Sequence, residues 1–201
     1  MEKFGKSQPV RRVEDVRFLT GQGRYVDDIV PEEALFAFFL RSSVAHGEIS
    51  ELDLDAARGA EGVHLVLTAE DLEAAGIDIA MPGIRMDNRD GSKGAGPRRP
   101  ALAVGRVRHV GEPVACIVAD TLEQARDAAE LIGLEIDELP AKLDLHPGGE
   151  TVHAEAPDNM AYDYGVGDEA ATQAAFDAAA QTVSLEITDN RIIANSMEPR
   201  G

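Results

Sequence analysis

The chain has one cysteine, Cys116, among its 201 residues. A lone thiol cannot form an internal disulfide, hold an iron–sulfur cluster or complete a cysteine-rich zinc site, because each of these needs several sulfur atoms. Cys116 stands in the apolar run VACIVA. This context predicts a buried, unreactive thiol rather than a nucleophile.

Positive charge is also scarce, since 19 Lys and Arg residues face 37 Asp and Glu residues and give a formal net charge of −18. A chain so acidic repels phosphate backbones, so we expect neither nucleic acid nor an anionic membrane as a partner. Several of the positive charges lie close to the start of the chain. They predict an extended, solvated arm over residues 1–14 rather than a specific anion site.

Long apolar runs are absent, and no stretch approaches the roughly 20 apolar residues of a membrane span. The first residues carry Lys, Gln and Pro but no hydrophobic region of signal-peptide length. We therefore expect a cytoplasmic protein without a membrane span. With 44% hydrophobic residues, the chain can form one substantial core or two small ones.

Apolar runs and turn residues alternate through the first half of the chain. The run ALFAFFLRSS predicts a buried strand with Phe36, Phe38 and Phe39 in the core. Strands are also predicted at Ile49 to Leu52 and Val63 to Leu67, with a short helical turn between them. Thr68 then has the character of a helix N-cap, with Asp71 three residues later in capping-box spacing.

The segment from Gly76 to Pro100 interrupts this alternation, because it is rich in Gly, Pro and charged residues and has no apolar period. We predict a long mobile loop there. Regular structure resumes with a buried central strand over Val114 to Ala119 and a helix capped by Thr121, which Gly133 ends. The strand LEIDEL follows, so the pattern predicts an α/β unit with a sheet of mixed strand direction that ends near residue 145.

Residues 146–159 are rich in Gly and Pro and predict a connector between two units. Asp168 then caps an alanine-rich helix that we expect to reach about Ala180. Thr182 to Asp189 alternates apolar and polar residues and predicts a strand, but too few strands follow to complete a sheet. Because an unpaired strand with an apolar face promotes association, we expect a homo-oligomer or a disordered tail.

The sequence shows no complete catalytic, cofactor-binding or metal-binding constellation, and we assign no residue to any of these roles. The segment GQGRY, which starts at Gly21, neither follows a buried strand nor opens a helix, so it predicts a turn rather than a phosphate loop. The histidines are widely spaced and lack metal-site spacing. They are His46, His64, His109, His146 and His153.

Five segments in this order and spacing resemble the start of the large subunit of the xanthine dehydrogenase family. The branch of carbon monoxide and aldehyde dehydrogenases is the most similar. The segments are RRVEDVRFLTGQGRYVDDI, AHGEI, GVHLVLTAEDL, RVRHVGEPVACIVAD and NRIIANSMEPRG. The resemblance implies an α/β hammerhead domain over residues 15–145, a linker over 146–159 and an incomplete start of the molybdopterin-binding domain over 160–201.

The resemblance also implies a molybdenum hydroxylase that, when complete, oxidises an aldehyde, a heterocycle or carbon monoxide. Its molybdopterin cofactor would lie in the large subunit, with a 2Fe-2S subunit and a flavin (FAD) subunit as partners. The family's G-G-F-G segment and catalytic glutamate fall after Gly201, so we expect this chain alone to be inactive. We interpret Glu198 in MEPRG as a structural acid at a domain junction.

A full large subunit of this family is several times longer, which predicts either a shortened gene or protein or one piece of a subunit divided over two chains. The alternative from a different functional class is a stand-alone interaction or small-ligand-binding module that kept the hammerhead fold. The sequence does not identify a substrate.

Overall fold

Two three-stranded antiparallel sheets form the centre of the structure, a computed structural model that describes residues 11–81, 85–190 and 192. The described residues fall into two compact units. Residues 35–182 form the larger unit, and the residues before 35 group with those after 182 in the smaller one. No helix in the described ranges is long and apolar enough to cross a membrane.

The smaller unit contains one short helix, α1 (Asp15–Leu19), and a 3₁₀ turn at Val26–Asp28. The rings of Phe18 and Tyr25 stack, with centroids 5.8 Å apart and planes 6° from parallel. The turn predicted for GQGRY follows Phe18 in the sequence and is confirmed, since Gly21 has a φ of 71° just after the helix. Most of the predicted arm, residues 1–10, lies outside the described residues.

The predicted strand over Thr182 to Asp189 is wrong, because the structure gives these residues no regular secondary structure. Val183, Leu185 and Ile187 are each at least three-quarters exposed, at 86%, 78% and 76%. A strand is stable only when a neighbour accepts its backbone hydrogen bonds, and alternation alone supplies no such neighbour.

The larger unit contains the remaining elements. In chain order they are β1 (Phe36–Arg41), β2 (Gly47–Asp53), α2 (Asp55–Arg58), β3 (Val63–Leu67), α3 (Ala69–Ala74), β4 (Ala80–Met81), β5 (Arg99–Pro100), β6 (Arg106–Val107), β7 (Pro113–Ala119), α4 (Leu122–Glu130), β8 (Gly133–Glu138) and α5 (Glu169–Ala178).

The first sheet has the strand order β1-β7-β3, with β7 in the centre as predicted for the run VACIVA. Ala115, Ile117 and Ala119 on β7 are fully buried and pack against the apolar face of α4. The edge strand β1 differs from its prediction, because Phe39 is 40% exposed. An edge strand covered on one face buries only alternate residues, so a continuous apolar run overstates its burial.

The second sheet has the strand order β6-β2-β8, and β2 runs antiparallel to both neighbours. Gly47 pairs with Val107 on one side and Glu138 on the other. A Cβ at Gly47 would lie 2.5 Å from the Ile136 side chain, so only glycine fits. The residues that precede β2 and those that follow β6 and β8 therefore meet at one end of this sheet.

The α/β class predicted from the sequence is confirmed, but every strand pair in the described residues is antiparallel rather than mixed. The reason lies in the helical connections. Helix α2 links β2 of the second sheet to β3 of the first, and α4 links β7 of the first to β8 of the second. Such connections join different sheets, so they do not produce parallel neighbours within one sheet.

The predicted helix caps are confirmed. The Thr68 hydroxyl accepts a hydrogen bond from the Asp71 backbone N–H, and the Asp71 carboxylate accepts one from Thr68 in return. Thr121 caps α4 in the same way through the Gln124 N–H. Asp168 caps α5 through the Ala171 N–H. Helix α4 ends at Glu130, before Gly133, which instead begins β8.

The segment predicted as a loop, Gly76 to Pro100, is largely irregular but contains the short antiparallel pair β4–β5. Residues 82–84 lie outside the described residues. Arg89 in this segment makes a bidentate ion pair with Asp163, with nitrogen–oxygen distances of 2.9–3.2 Å. The segment therefore contacts the chain after the connector, while its mobility stays a prediction.

Candidate functional site

A cavity of about 430 Å³ lies where the turns before β2, after β6 and after β8 meet. The loop of residues 152–161 supplies its remaining wall together with Pro97. Three of the five histidines line the cavity with two cations, namely His46, His109, His153, Arg108 and Lys142. Strand pairing thus brings together side chains that are far apart in the sequence.

His46 is the most buried polar residue of this wall, with 2% exposure. Its Nδ1 lies 2.9 Å from the Pro140 carbonyl oxygen. Because a carbonyl oxygen can only accept, Nδ1 carries the hydrogen of this bond. Nε2 is buried without a hydrogen-bond partner among the described residues, so in the neutral ring it holds an unused acceptor lone pair.

Arg108 is positioned by the turn that follows β6. Its backbone N–H donates to the buried Glu112 carboxylate at 2.5 Å, and Gly111 adopts a φ of 85° that lets the chain turn back. Its guanidinium donates to the carbonyl oxygens of Val152 and Arg106, each at 3.3 Å. No carboxylate in the described ranges is hydrogen-bonded to this guanidinium, but its charge acts on the nearby Glu48 carboxylate and is one of the smaller causes that lower the pKa of that group.

The connector of residues 146–159 forms an ordered loop beside the cavity, and Asn159 fixes its shape. The Asn159 amide donates to the carbonyl oxygens of Gly148 and Glu150 and accepts from the Val152 N–H, at 2.7–3.0 Å. Asn159 has a φ of 56°, a backbone conformation that asparagine tolerates better than most residues. The loop holds Val152 and His153 against the cavity.

The ionisable side chains around the cavity differ in how their charge is set. Burial, with a smaller contribution from the charge of Arg108, lowers the pKa of His153 from its usual 6.5. His153 is therefore mainly neutral at pH 7. Lys142 pairs with Asp144 at 2.6 Å, and this bond lowers the pKa of the Asp144 carboxyl. The carboxylates of Glu155 and Glu112 oppose the shift at His153 with smaller effects, so the lining cations have acidic groups near them.

Histidine spacing along the chain does not reveal this cluster, because its members are far apart in the sequence. The available signal was the topology: His46 directly precedes β2 and His109 follows β6, so antiparallel pairing places them at the same end. His64 lies elsewhere, on β3, where its Nε2 is 2.7 Å from the Asp120 carboxylate on the surface. His146 is exposed in the connector.

In the part of the chain that the structure covers, no group of three or more His, Cys, Asp or Glu residues could hold a metal ion. The donor set therefore does not fit a metal centre, and we derive no chemical step through one. Cys116 is half-buried and packs beside Leu102, and burial raises the pKa of its thiol. Its low reactivity stays a prediction in line with that shift. Glu198 lies outside the described residues.

Comparison with known proteins places the chain in one family. Residues 20–140 match the family described as aldehyde oxidase and xanthine dehydrogenase, a/b hammerhead domain. The nicotine 6-hydroxylase large subunit of Paenarthrobacter nicotinovorans is 38% identical over 98% of this chain. The carbon monoxide dehydrogenase large chain of Hydrogenophaga pseudoflava is 36% identical over 89% of this chain. The chain spans 24% and 23% of the length of these two relatives.

Solved structures agree with this assignment. A Cu,Mo-CO dehydrogenase matches with a TM-score of 0.67 and 32% identity, over 86% of this chain and 22% of its own. Quinoline 2-oxidoreductase from Pseudomonas putida 86 matches with a TM-score of 0.59 and 38% identity, over 70% of this chain and 17% of its own. The chain therefore belongs to the aldehyde oxidase and xanthine dehydrogenase family and contains that family's a/b hammerhead domain.

Proposed function

We propose that this chain acts as the non-catalytic, amino-terminal structural part of a molybdenum hydroxylase large subunit. The observation that supports this most strongly is the match of 98% of the chain to 24% of one large subunit. The hammerhead domain would pack against the cofactor-binding part of the large subunit and help to form contacts between subunits. The chain alone would be inactive.

The proposed domain division follows the resemblance and the matched range. The hammerhead domain would cover residues 15–145, which include the matched residues 20–140. Residues 146–159 would connect it to the start of the molybdopterin-binding domain at 160–201. The relatives include a xanthine dehydrogenase molybdenum-binding subunit, which supports a molybdopterin cofactor in the complete enzyme. Iron–sulfur and flavin subunits would be its partners, in the cytoplasm.

The complete enzyme would oxidise an aldehyde, a heterocycle or carbon monoxide. The names of two similar proteins, nicotine 6-hydroxylase and quinoline 2-oxidoreductase, support a nitrogen heterocycle as the substrate. The carbon monoxide dehydrogenases support carbon monoxide instead. Bound molybdenum would supply the oxidation chemistry. We expect the described residues of this chain to supply no group to that step.

The DNA immediately 3′ of codon 201 tests the proposal. A downstream reading frame that encodes the family's G-G-F-G segment would support a large subunit divided over two chains or interrupted at this point. Its absence, together with a stable monodisperse protein, would favour the second candidate, a stand-alone small-ligand-binding module. The observation that supports this second candidate is the cavity around His46.

Elemental analysis, together with the visible absorbance spectrum for flavin, gives an independent test. We expect the purified 201-residue chain to contain no stoichiometric molybdenum, iron or flavin, because it has one cysteine and lacks the family's pterin-binding segments. Stoichiometric molybdenum bound to the isolated chain would contradict the proposal.

Exposed apolar residues near the end of the chain support self-association or contact with another subunit. Replacing Leu185 and Ile187 with Lys should shift any oligomer toward monomer, because association would then have to bury two charges. The matched control replaces Leu145 and Val166, which are 86% and 88% exposed, with Lys. Light scattering that shows a well-ordered monomer before and after the change would contradict self-association.

A further inference from the structure

We propose that residues 160–182 form a releasable strap, which a single charged clasp holds against the hairpin of residues 86–94. In the clasped state, Asp163 of the strap is bound to Asn88 and Arg89 of the hairpin. In the released state the strap leaves the hairpin, while both three-stranded sheets stay folded. The strap is a conformational device of this chain itself, so it does not rest on the structural role proposed above.

The hairpin is held in shape by its own side chains. The Asn88 N–H donates to the Ser92 carbonyl oxygen at 2.9 Å, and the Asn88 side-chain amide donates to the Ser92 hydroxyl at the same distance. The Asp90 carboxylate accepts from the Ser92 N–H and hydroxyl, at 2.9 and 2.7 Å. None of these bonds involves the strap. The hairpin therefore presents an edge at Asn88 and Arg89 that does not need the strap in order to form.

Asp163 is bound to this edge through its main chain and its side chain together. The Arg89 N–H donates to the Asp163 carbonyl oxygen at 2.8 Å, and the Asp163 N–H donates to the Asn88 side-chain oxygen at 2.8 Å. The Arg89 guanidinium binds both carboxylate oxygens of Asp163, a bidentate arrangement that suits this pair of groups. The hydrogen bonds to Asp163 raise the pKa of Arg89, with smaller contributions from the charges of Asp163 and Glu169. Charge is therefore a main component of the clasp.

The clasp is the main attachment of the strap. No other hydrogen bond or ion pair joins the strap to residues 35–159 within the described part of the chain. Every residue of the strap is exposed, and α5 buries none of its side chains. Little apolar burial therefore opposes release, and a helix of ten residues has little stability without packing. Asn159 holds the connector before the strap, so release should begin after that residue.

Two glycines allow the hairpin and the strap to approach closely. A Cβ at Gly94 would lie 2.7 Å from the Ala161 carbonyl oxygen and 2.7 Å from the Tyr162 Cβ. A Cβ at Gly165 would lie 2.6 Å from the Arg89 Cδ. The φ of Gly94 is outside the left-handed region, so alanine can adopt the backbone conformation there. Gly94→Ala should therefore push the strap away by steric contact and leave every charge in place.

Hydrogen exchange of the full isotope-labelled chain, followed residue by residue by NMR, tests the strap. The Arg89 and Asp163 amides report on the clasp directly, because each of them donates across it. Asp163→Asn keeps the shape of the side chain and removes its charge. The protection of the Arg89 amide should then fall by about fivefold, the upper end for a half-exposed ion pair. Gly94→Ala should lower the protection of both amides at least as far, because it displaces the strap without changing a charge.

Salt gives a second test of the same clasp. Raising the salt concentration from about 0.1 M to about 1 M shortens the Debye length from about 10 Å to about 3 Å and screens an exposed ion pair. The protection of the Arg89 amide should fall in the parent chain and stay nearly constant in Asp163→Asn. Asp78→Asn is the matched control, because it removes the same charge from the exposed pair that Asp78 forms with Arg98 in the same segment. It should leave the Arg89 amide as protected as in the parent chain.

Release of the strap must also be local. The amides of the central strand β7 and the Val152 amide, which donates to Asn159 within the connector, should keep their protection in every variant. Equal loss of protection in β7 and at Arg89 would overturn the proposal, because the whole fold would then open. So would equal effects of Asp78→Asn and Asp163→Asn, or a parent chain whose Arg89 amide is unprotected. No readout involves molybdenum, so failure of the strap is distinguishable from failure of the proposed function.

Discussion

The buried carboxylate of Glu112 should be a main support of the turn that carries Arg108. Glu112 is 5% exposed, and it accepts the Arg108 backbone N–H at 2.5 Å. Replacing Glu112 with Ala leaves this N–H without its acceptor. A hydrogen bond to a charged group contributes about 1.5–3 kcal/mol, so we expect the free energy of unfolding to fall by about 2 kcal/mol.

Urea denaturation followed by far-UV circular dichroism measures this loss. With a slope of roughly 2 kcal/mol per molar urea, the midpoint of the transition should fall by about 1 M. Glu112→Gln is the control, because its amide oxygen can still accept the N–H, and it should lose less than half as much. A midpoint of Glu112→Ala within error of the parent would refute the reasoning. So would equal losses in both variants, because the acceptor would then not matter.

Three further changes test other parts of the fold and the cavity. Ile117→Ala in the fully buried centre of β7 should cost about 2–5 kcal/mol in urea denaturation, whereas Leu65→Ala at a half-exposed site should cost far less. Gly111→Ala should cost about 1–2 kcal/mol, because φ is 85° there and no atom lies within 4 Å to clash. Burial and the charge of Arg108 lower the pKa of His153, and the opposing effects of Glu155 and Glu112 are smaller. Near pH 6.5, His153 therefore binds less of a proton in the folded chain than in the unfolded chain. Stability should therefore fall as the pH drops below about 6.5, and His153→Gln should reduce that fall between pH 7 and 5.5.

Local signals were the most predictable part of the fold. Thr68 and Thr121 were correctly predicted as N-caps, because a side-chain oxygen three residues before a free backbone N–H acts within one helical turn. The buried strand over Val114 to Ala119 was equally clear, because a central strand covered by a helix buries an unbroken apolar run. These features can be predicted without knowing which strands pair.

Features that depend on partners were less predictable. Phe39 is exposed because β1 is an edge strand, and the run of apolar letters around it does not reveal that position. The strand predicted from Val183 to Ile187 does not form, because period alone cannot provide a neighbouring strand. The cavity was missed for the same reason. His46 and His153 meet only because of how β2, β8 and the loop around Asn159 are arranged.

The central claim is that this chain belongs to a molybdenum hydroxylase assembly without binding molybdenum alone. The most direct measurement is the molybdenum content of the tagged chain, determined by elemental mass spectrometry after purification from the organism that produces it and, separately, after production alone. We expect stoichiometric molybdenum in the assembly that co-purifies from the natural source and none in the chain produced alone. A chain that elutes free of molybdenum from the natural source, under conditions in which that organism's other molybdenum enzymes are loaded, would contradict the claim.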